Sequence, residues 1–118
     1  MAALTLPKPA RLTRRAEFAA VREQGKSQHG IFMVLGTWQT SSLEPARIGV
    51  VTSRQVGTAV ARNKARRRLR EIFRLHRNLL PSGLWMVVVL RRAAVRATFA
   101  ALSEEWHALA KRAGYLKA

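Results

Sequence analysis

Residues 52–74 read TSRQVGTAVARNKARRRLREIFR: a strand ending, a Gly-Thr break at 57–58, then an unbroken helical pattern. Gly57 stops the strand and Thr58 supplies an N-cap, so the sequence predicts a helix over about residues 59–79. On a wheel of about 100° per residue, Ala61, Ala65, Leu69, Ile72, Phe73 and His76 fall on one arc of roughly 120°. That arc packs on a sheet. Arg66, Arg70, Asn63, Arg74 and Arg67 fill a neighbouring arc of roughly 100°, with Lys64 and Arg68 further round. Residues 54–77 hold nine cations against the single anion Glu71. Like charges at i,i+4 repel by a few tenths of a kcal/mol, so ordinary solvated helix faces mix their signs. A face of one sign reads as a binding surface for a polyanion, held on a rigid element by the burial of the other side. The backbone N–H groups at the start of this helix, after Gly57 and Thr58, add a further place for an anion. The same helix could lie on an anionic membrane, but its apolar arc is needed for the core.

Upstream, Arg47–Ser53 (RIGVVTS) reads as a strand, as does Ile31–Trp38 (IFMVLGTW), and the two are expected to pair as a hairpin across a polar loop. Downstream, Pro81-Ser82-Gly83 is a turn. Leu84–Leu90 (LWMVVVL) is the most apolar run and is expected to be buried on both faces. A last helix is predicted from about Ala97 to Arg112, with Phe99, Leu102, Trp106 and Leu109 as its buried stripe and Gly114 as its cap. Near the start, Thr13 caps a helix to about Gln24, without a capping box because position 16 is Ala, and Gly25 terminates it. Pro7 and Pro9 make residues 1–12 an extended arm. The expected fold is α+β, a two-layer α-β sandwich in the order α-β-β-α-β-α. One polyanion-binding domain is expected over 1–118: arm 1–12, core 13–113, tail 114–118.

The whole chain carries 22 Lys+Arg against 6 Asp+Glu, a net charge of +16 on 118 residues. Such a surplus calls for a polyanionic partner. Seventeen of the cations are Arg, whose planar fork grips phosphate in two places and stacks on bases. With 48% apolar residues the chain can fill a core, and no apolar run nears the roughly 18 needed to span a membrane. There is no Cys, hence no disulfide, thiolate zinc site or Cys nucleophile. No charged-then-apolar leader opens the sequence, and a reducing cytoplasm suits its composition.

The acids decide what chemistry is excluded. There is no Asp, and among the six Glu only Glu104 and Glu105 are neighbours, pointing about 100° apart on a helix. A nuclease using two metals needs clustered carboxylates, which this chain lacks. His29, His76 and His107 show no metal-ligand spacing, and His76 reads as a packing residue. Thr52 and Ser53 have no evident base partner. Trp38, Trp85 and Trp106 read as core or core edge. Any phosphodiester hydrolysis here must therefore draw its Mg²⁺ ligands from another molecule, and a catalytic RNA can supply them from its own phosphates.

The 52–74 block resembles the signature of the bacterial ribonuclease P protein subunit, in which a strand ending leads through a Gly turn into an Arg-Asn-Arg helix. The likeness extends over about residues 9–113. RLTRRAEFAAVREQG at 11–25 resembles the family's first helix, and FMVL and RIGVVTS resemble its first strands. The resemblance implies an α-β sandwich with a left-handed crossover through the basic helix. It also implies an accessory subunit that binds the catalytic RNA and the single-stranded 5′ leader of precursor tRNA while the RNA cleaves. Arg54, Arg62, Asn63, Lys64, Arg66, Arg67, Arg68 and Arg70 would then face the catalytic RNA. A cleft between the first helix and the sheet would take the leader, lined by Phe18, Phe32, Arg11, Arg14 and Arg22, with ordinary core packing the alternative reading of the two Phe. Mg²⁺ is expected in the RNA–protein holoenzyme and none on the protein alone; no membrane, small-molecule substrate or obligate protein partner is expected. Three departures stand out. Lys64 replaces the usual second Arg, losing bidentate grip; Ala65 replaces a larger aliphatic; and Arg22 replaces a second aromatic, favouring phosphate over base there. The competing reading is a non-catalytic ribosomal or RNA-chaperone-type protein using the same helix.

Overall fold

The most apolar run of the chain takes the centre of the sheet. In the computed structural model, which describes residues 8–116, the elements are α1 (Arg15–Gln24), β1 (Lys26–His29), β2 (Met33–Gln39), β3 (Arg47–Val51), α2 (Ala59–His76), β4 (Leu84–Leu90) and α3 (Phe99–Arg112). The strand order is β1-β2-β4-β3. β1 pairs antiparallel with β2, β2 antiparallel with β4, and β3 parallel with β4. The expected β2–β3 hairpin does not form: β4 inserts between the two. Its apolar side chains gain most from a central place, and α2 carries the chain across so that β3 and β4 run parallel. β1 has no counterpart among the expected strands. Its sequence, KSQH, is wholly polar, as suits an edge strand.

α2 and α3 cover one face of the sheet. Ala65, Leu69, Ile72 and Phe73 of α2, with Leu102, Trp106, Leu109 and Ala110 of α3, pack on Leu35, Ile48, Met86 and Val88. Phe99, expected in this stripe, is 36% exposed, because it is the first residue of the helix and precedes the turns that reach the sheet. The α2 cap forms as expected, with Thr58 Oγ1 accepting from Ala61 N–H at 3.1 Å; α3 starts two residues later than expected and is capped by Thr98, whose Oγ1 accepts from Ala101 N–H at 3.0 Å. Gly114 adopts φ 95°, and Tyr115 N–H reaches back to the Ala110 carbonyl at 3.0 Å, the glycine-closed end expected there.

α1 crosses the opposite face alone. It starts one residue later than expected, with Arg14 rather than Thr13 at the N-cap, and Glu17 does the capping. Glu17 Oε1 accepts from the Thr13 and Arg14 N–H groups, both at 2.9 Å. Residues 8–12 are not an extended arm. Ala10 and Leu12 are buried, and Leu12 N–H donates to the Ile48 carbonyl at 2.7 Å, closing the outer edge of β3. The rest of the predicted arm, residues 1–7, and the tail residues 117–118 lie outside the described residues.

Candidate nucleic-acid interface

Strand alternation and register set three rungs on the α1 face of the sheet. The first is Trp38–Trp85–Arg47, the second Gly36–Val87–Gly49, the third His29–Val34–Val89–Val51. α1 lies along the second rung, where two glycines make room. Phe18 stands on Gly49 so closely that a Cβ there would fall 2.4 Å from its ring, and Val21 stands over Gly36. Leu12, Val21 and Val87 form the small core under the helix, with Phe18, Trp38 and Trp85 packed around it.

The first rung is closed. Trp38 and Trp85 meet edge-on at 5.5 Å, and the Arg47 guanidinium sits 5.2 Å from the Trp85 ring. Arg47 also pairs with Glu17 at 3.0 Å and donates to the Pro9 and Arg11 carbonyls. Partial burial of the Glu17 carboxyl works to raise its pKa. The two N–H donors and the Arg47 charge outweigh that and hold it below the usual carboxylate value.

The third rung is open. Val51 is 37% and Val89 41% exposed, so β4 is not buried on both faces as expected: a ten-residue helix covers only part of the sheet. Glu17 turns to the first rung, so Phe18 and Arg22, about 100° and 140° further round the helix, turn to the third. The result is a groove with an aliphatic floor and Phe18 and Arg22 along one wall. His29 lies at its end, where Arg91 Nη2 approaches His29 Nδ1 at 3.3 Å. Val34, Val51, Val89, His29 and Arg91 are not among the sequence-derived site residues. Their common parity along β2, β3 and β4 is the available signal, but it needs the correct register to be read.

Phe32 is not in this groove. It packs at the margin of the larger core, beside Arg92–Arg96, on the α2–α3 side of the sheet. The chain bends at residues 31–32, before β2 begins, so strand alternation does not extend back to it.

The cations of α2 separate into groups. Arg70 lies within reach of the charges of both Arg66 and Arg11, the latter at the β3 edge, which brings a residue expected in the leader cleft near one expected to face the catalytic RNA. Burial, then the charges of Arg11 and Arg66, lower the Arg70 pKa. Arg66 donates to Asn63 Oδ1. Asn63, Lys64 and Arg67 are exposed, as are Arg54 in the short turn after β3 and Arg14 at the head of α1. Arg62 Nη1 folds back on the Gly57 carbonyl at 2.7 Å, and Arg68 Nη1 reaches the Ala97 carbonyl at 2.8 Å. Arg68 and Arg70 thus point about 160° apart round the helix. Among the described residues there are two ion pairs: Arg47 with Glu17, and Arg74 with Glu71 at 2.6 Å. The hydrogen bond to Glu71 raises the Arg74 pKa and lowers that of Glu71. Arg74 is therefore the one α2 cation whose charge is cancelled inside the described molecule.

Glu105 has a structural task that the sequence does not reveal. Its carboxylate accepts from the Ile31, Phe32 and Met33 N–H groups at 2.7, 2.8 and 3.1 Å, tying α3 to the β1–β2 turn. His76 and His107, distant in sequence, come within 5.8 Å between rings, with His76 Nδ1 donating to the Ile72 carbonyl. Trp106 is fully buried, and Trp38 and Trp85 are partly so, as read from the sequence. No group of three or more His, Cys, Asp or Glu gathers among the described residues. No helix there is long and apolar enough to cross a membrane.

An α+β scaffold with a one-signed helix on one face and a half-covered groove on the other defines a class of basic nucleic-acid-binding proteins. The Ribonuclease P family profile matches residues 6–114, and the chain belongs to that family, a family of RNA-binding tRNA-processing proteins. It is similar to the ribonuclease P protein component of Symbiobacterium thermophilum, 36% identical over 112 residues, covering 95% of this chain and 97% of that one. That of Desulfovibrio desulfuricans is 41% identical over 93 residues, covering 78% and 72%. Among solved structures, a Staphylococcus aureus RNase P protein mutant with defective mRNA degradation activity superposes with TM-score 0.85 at 27% identity, covering 92% of each chain. The Thermotoga maritima RNase P protein gives 0.76 at 32% identity, covering 86% of this chain and 96% of that one.

Proposed function

We propose that this chain is the protein subunit of a ribonuclease P whose RNA carries the catalysis, and that it binds that RNA and the 5′ leader of precursor tRNA. One observation carries the reading: Arg66, Arg67 and Arg70 stand on a rigid helix with no carboxylate paired to them among the described residues. Such a surface meets consecutive phosphates of a folded RNA and releases their counterions. The groove beside Phe18 and Arg22 suits a single strand. Its apolar floor and aromatic wall take bases, and Arg22 takes a phosphate. Arg11, near Arg70, links the two surfaces at the β3 edge.

The acids fit the same division of labour. Glu17, Glu71 and Glu105 are each committed to internal partners. Mg²⁺ held by RNA phosphates would supply the polarised water for hydrolysis. The protein's own residues neutralise phosphate charge, hold the leader in register and so raise the affinity of the assembled site for its cations.

The test is reconstitution with a bacterial catalytic RNA at low Mg²⁺ and an assay of precursor tRNA cleavage. Stimulation by the protein is expected, and its absence removes the reading. Binding of structured RNA with no preference for leader-bearing over mature tRNA would instead favour a ribosomal or chaperone-type role. Phe18→Ala should weaken binding of leader-bearing substrate more than of mature tRNA. Equal weakening on both would make Phe18 a purely structural residue.

A further inference from the structure

Phe32 lies outside the groove, in a setting of its own. It lines an open cavity of about 650 Å³ with Arg92, Ala93, Arg96 and Ala97, a volume in the range of small-ligand sites. The backbone of Phe32 is pinned from both sides. Its N–H donates to Glu105 at 2.8 Å, and its carbonyl accepts from Arg91 N–H at 2.8 Å. The ring is therefore carried on a fixed base, and it is only partly buried. Among the described residues no guanidinium lies over it and no other aromatic ring packs on it. Arg92 and Arg96 are exposed at the rim, and neither has a carboxylate partner there.

From this arrangement we propose that the cavity is a pocket for one unpaired nucleotide of an RNA, with the base on the Phe32 ring and the phosphate held by Arg92 and Arg96. An aromatic face takes any base, and a guanidinium fork takes a phosphate oxygen pair. The place of the pocket gives it a use. Arg91, next in sequence to Arg92, reaches His29 at the end of the groove. Arg68 of α2 holds the carbonyl of Ala97 at the other side of the pocket. The pocket thus stands where a strand leaving the groove meets the cationic helix, and its nucleotide comes either from the leader or from the catalytic RNA. The proposal rests on the RNA-binding reading above but asks for a contact that reading does not require.

The experiment uses the full chain assembled with catalytic RNA. Phe32→Leu keeps apolar bulk and removes the π face; Phe32→Trp keeps the face. Stacking of a base on an aromatic accounts for about a 5- to 150-fold change in affinity when the ring is removed. Phe32→Leu should therefore weaken binding by that order, while Phe32→Trp should retain it. Arg92→Gln and Arg96→Gln, both at the surface, should each lower the salt slope of the same equilibrium by about one unit. If the affected equilibrium is protein with catalytic RNA, the nucleotide belongs to that RNA; if it is holoenzyme with leader-bearing substrate, it belongs to the leader. Unchanged affinities in both for Phe32→Leu and the two Arg variants overturn the pocket, even when the wild-type protein stimulates cleavage normally. Should the wild type not stimulate cleavage, the same variants titrated with a short single-stranded RNA still decide the pocket on their own. Should Phe32→Leu fail to fold, the Arg variants decide it.

Discussion

Replacing both Arg66 and Arg70 by Ala separates charge from fold. Neither side chain is in an ion pair among the described residues, and Arg70 is crowded by Arg11 and Arg66. Their removal breaks no salt bridge and relieves a repulsion, so the unfolding midpoint should hold or rise slightly. The effect on RNA binding is different in kind. Each phosphate that the protein no longer neutralises lowers the slope of log affinity against log salt by about 0.7–0.9. Two such phosphates lower it by about 1.4–1.8. Over a fourfold change in salt, the ratio of wild-type to variant affinity should therefore shrink by about 7- to 12-fold. Filter binding or fluorescence anisotropy with catalytic RNA across that salt range reads this directly. Arg74→Ala is the internal control, because Glu71 already cancels its charge; its slope should stay near wild type. Equal slopes for all three proteins, or a drop as large for Arg74→Ala as for the pair, would refute the account of α2.

Other outcomes follow from particular interactions. Glu17→Gln should destabilise the protein at neutral pH by about 1 kcal/mol, the usual cost of removing a helix cap. The folded-state pKa of Glu17 lies below its ordinary value of 4.5, so its contribution is complete above that value and disappears as pH falls through the folded one. Urea titrations of wild type and variant should therefore converge in acid, and a constant gap would contradict the assignment. Gly49→Ala drives a methyl against the Phe18 ring and should cost about 1–3 kcal/mol in urea unfolding. Glu105→Gln turns an amide toward three backbone donors, should cost about 1–3 kcal/mol, and should speed hydrogen exchange at residues 31–33. Exchange unchanged at those amides would remove the clamp.

What the sequence discloses, and what it withholds, follow one physical division. α2 and α3 are readable because their periodicity, caps and apolar stripes are local: Thr58, Leu69 and Gly114 each declare their place within one or two turns. β4 is readable as a strand from its apolar content. Its neighbours are not, because pairing is set by interactions between distant segments. The two upstream strands match each other on paper because nothing in them signals that a later one comes between. β1 is silent because an edge strand needs no apolar alternation, and residues 8–12 look like a free arm because the β3 edge they close is not placed by the sequence. At the site the pattern repeats. The basic helix is legible in full, though not that Arg68 turns to Ala97 or that Arg74 is neutralised. Phe32 falls on the side of the sheet opposite to the one its sequence position suggests, and the open valine rung is invisible until the register fixes it.

The central position of β4 has a consequence for how the chain is made. Until residues 84–90 exist, β2 has only the short polar β1 beside it, and β3 has only the segment that closes its outer edge. A nascent chain halted at the turn before β4 would hold a finished cationic helix with nothing to seat it. Assembly of the sheet therefore waits until residues 84–90 have been made, and a cut in that turn would leave neither fragment able to complete it.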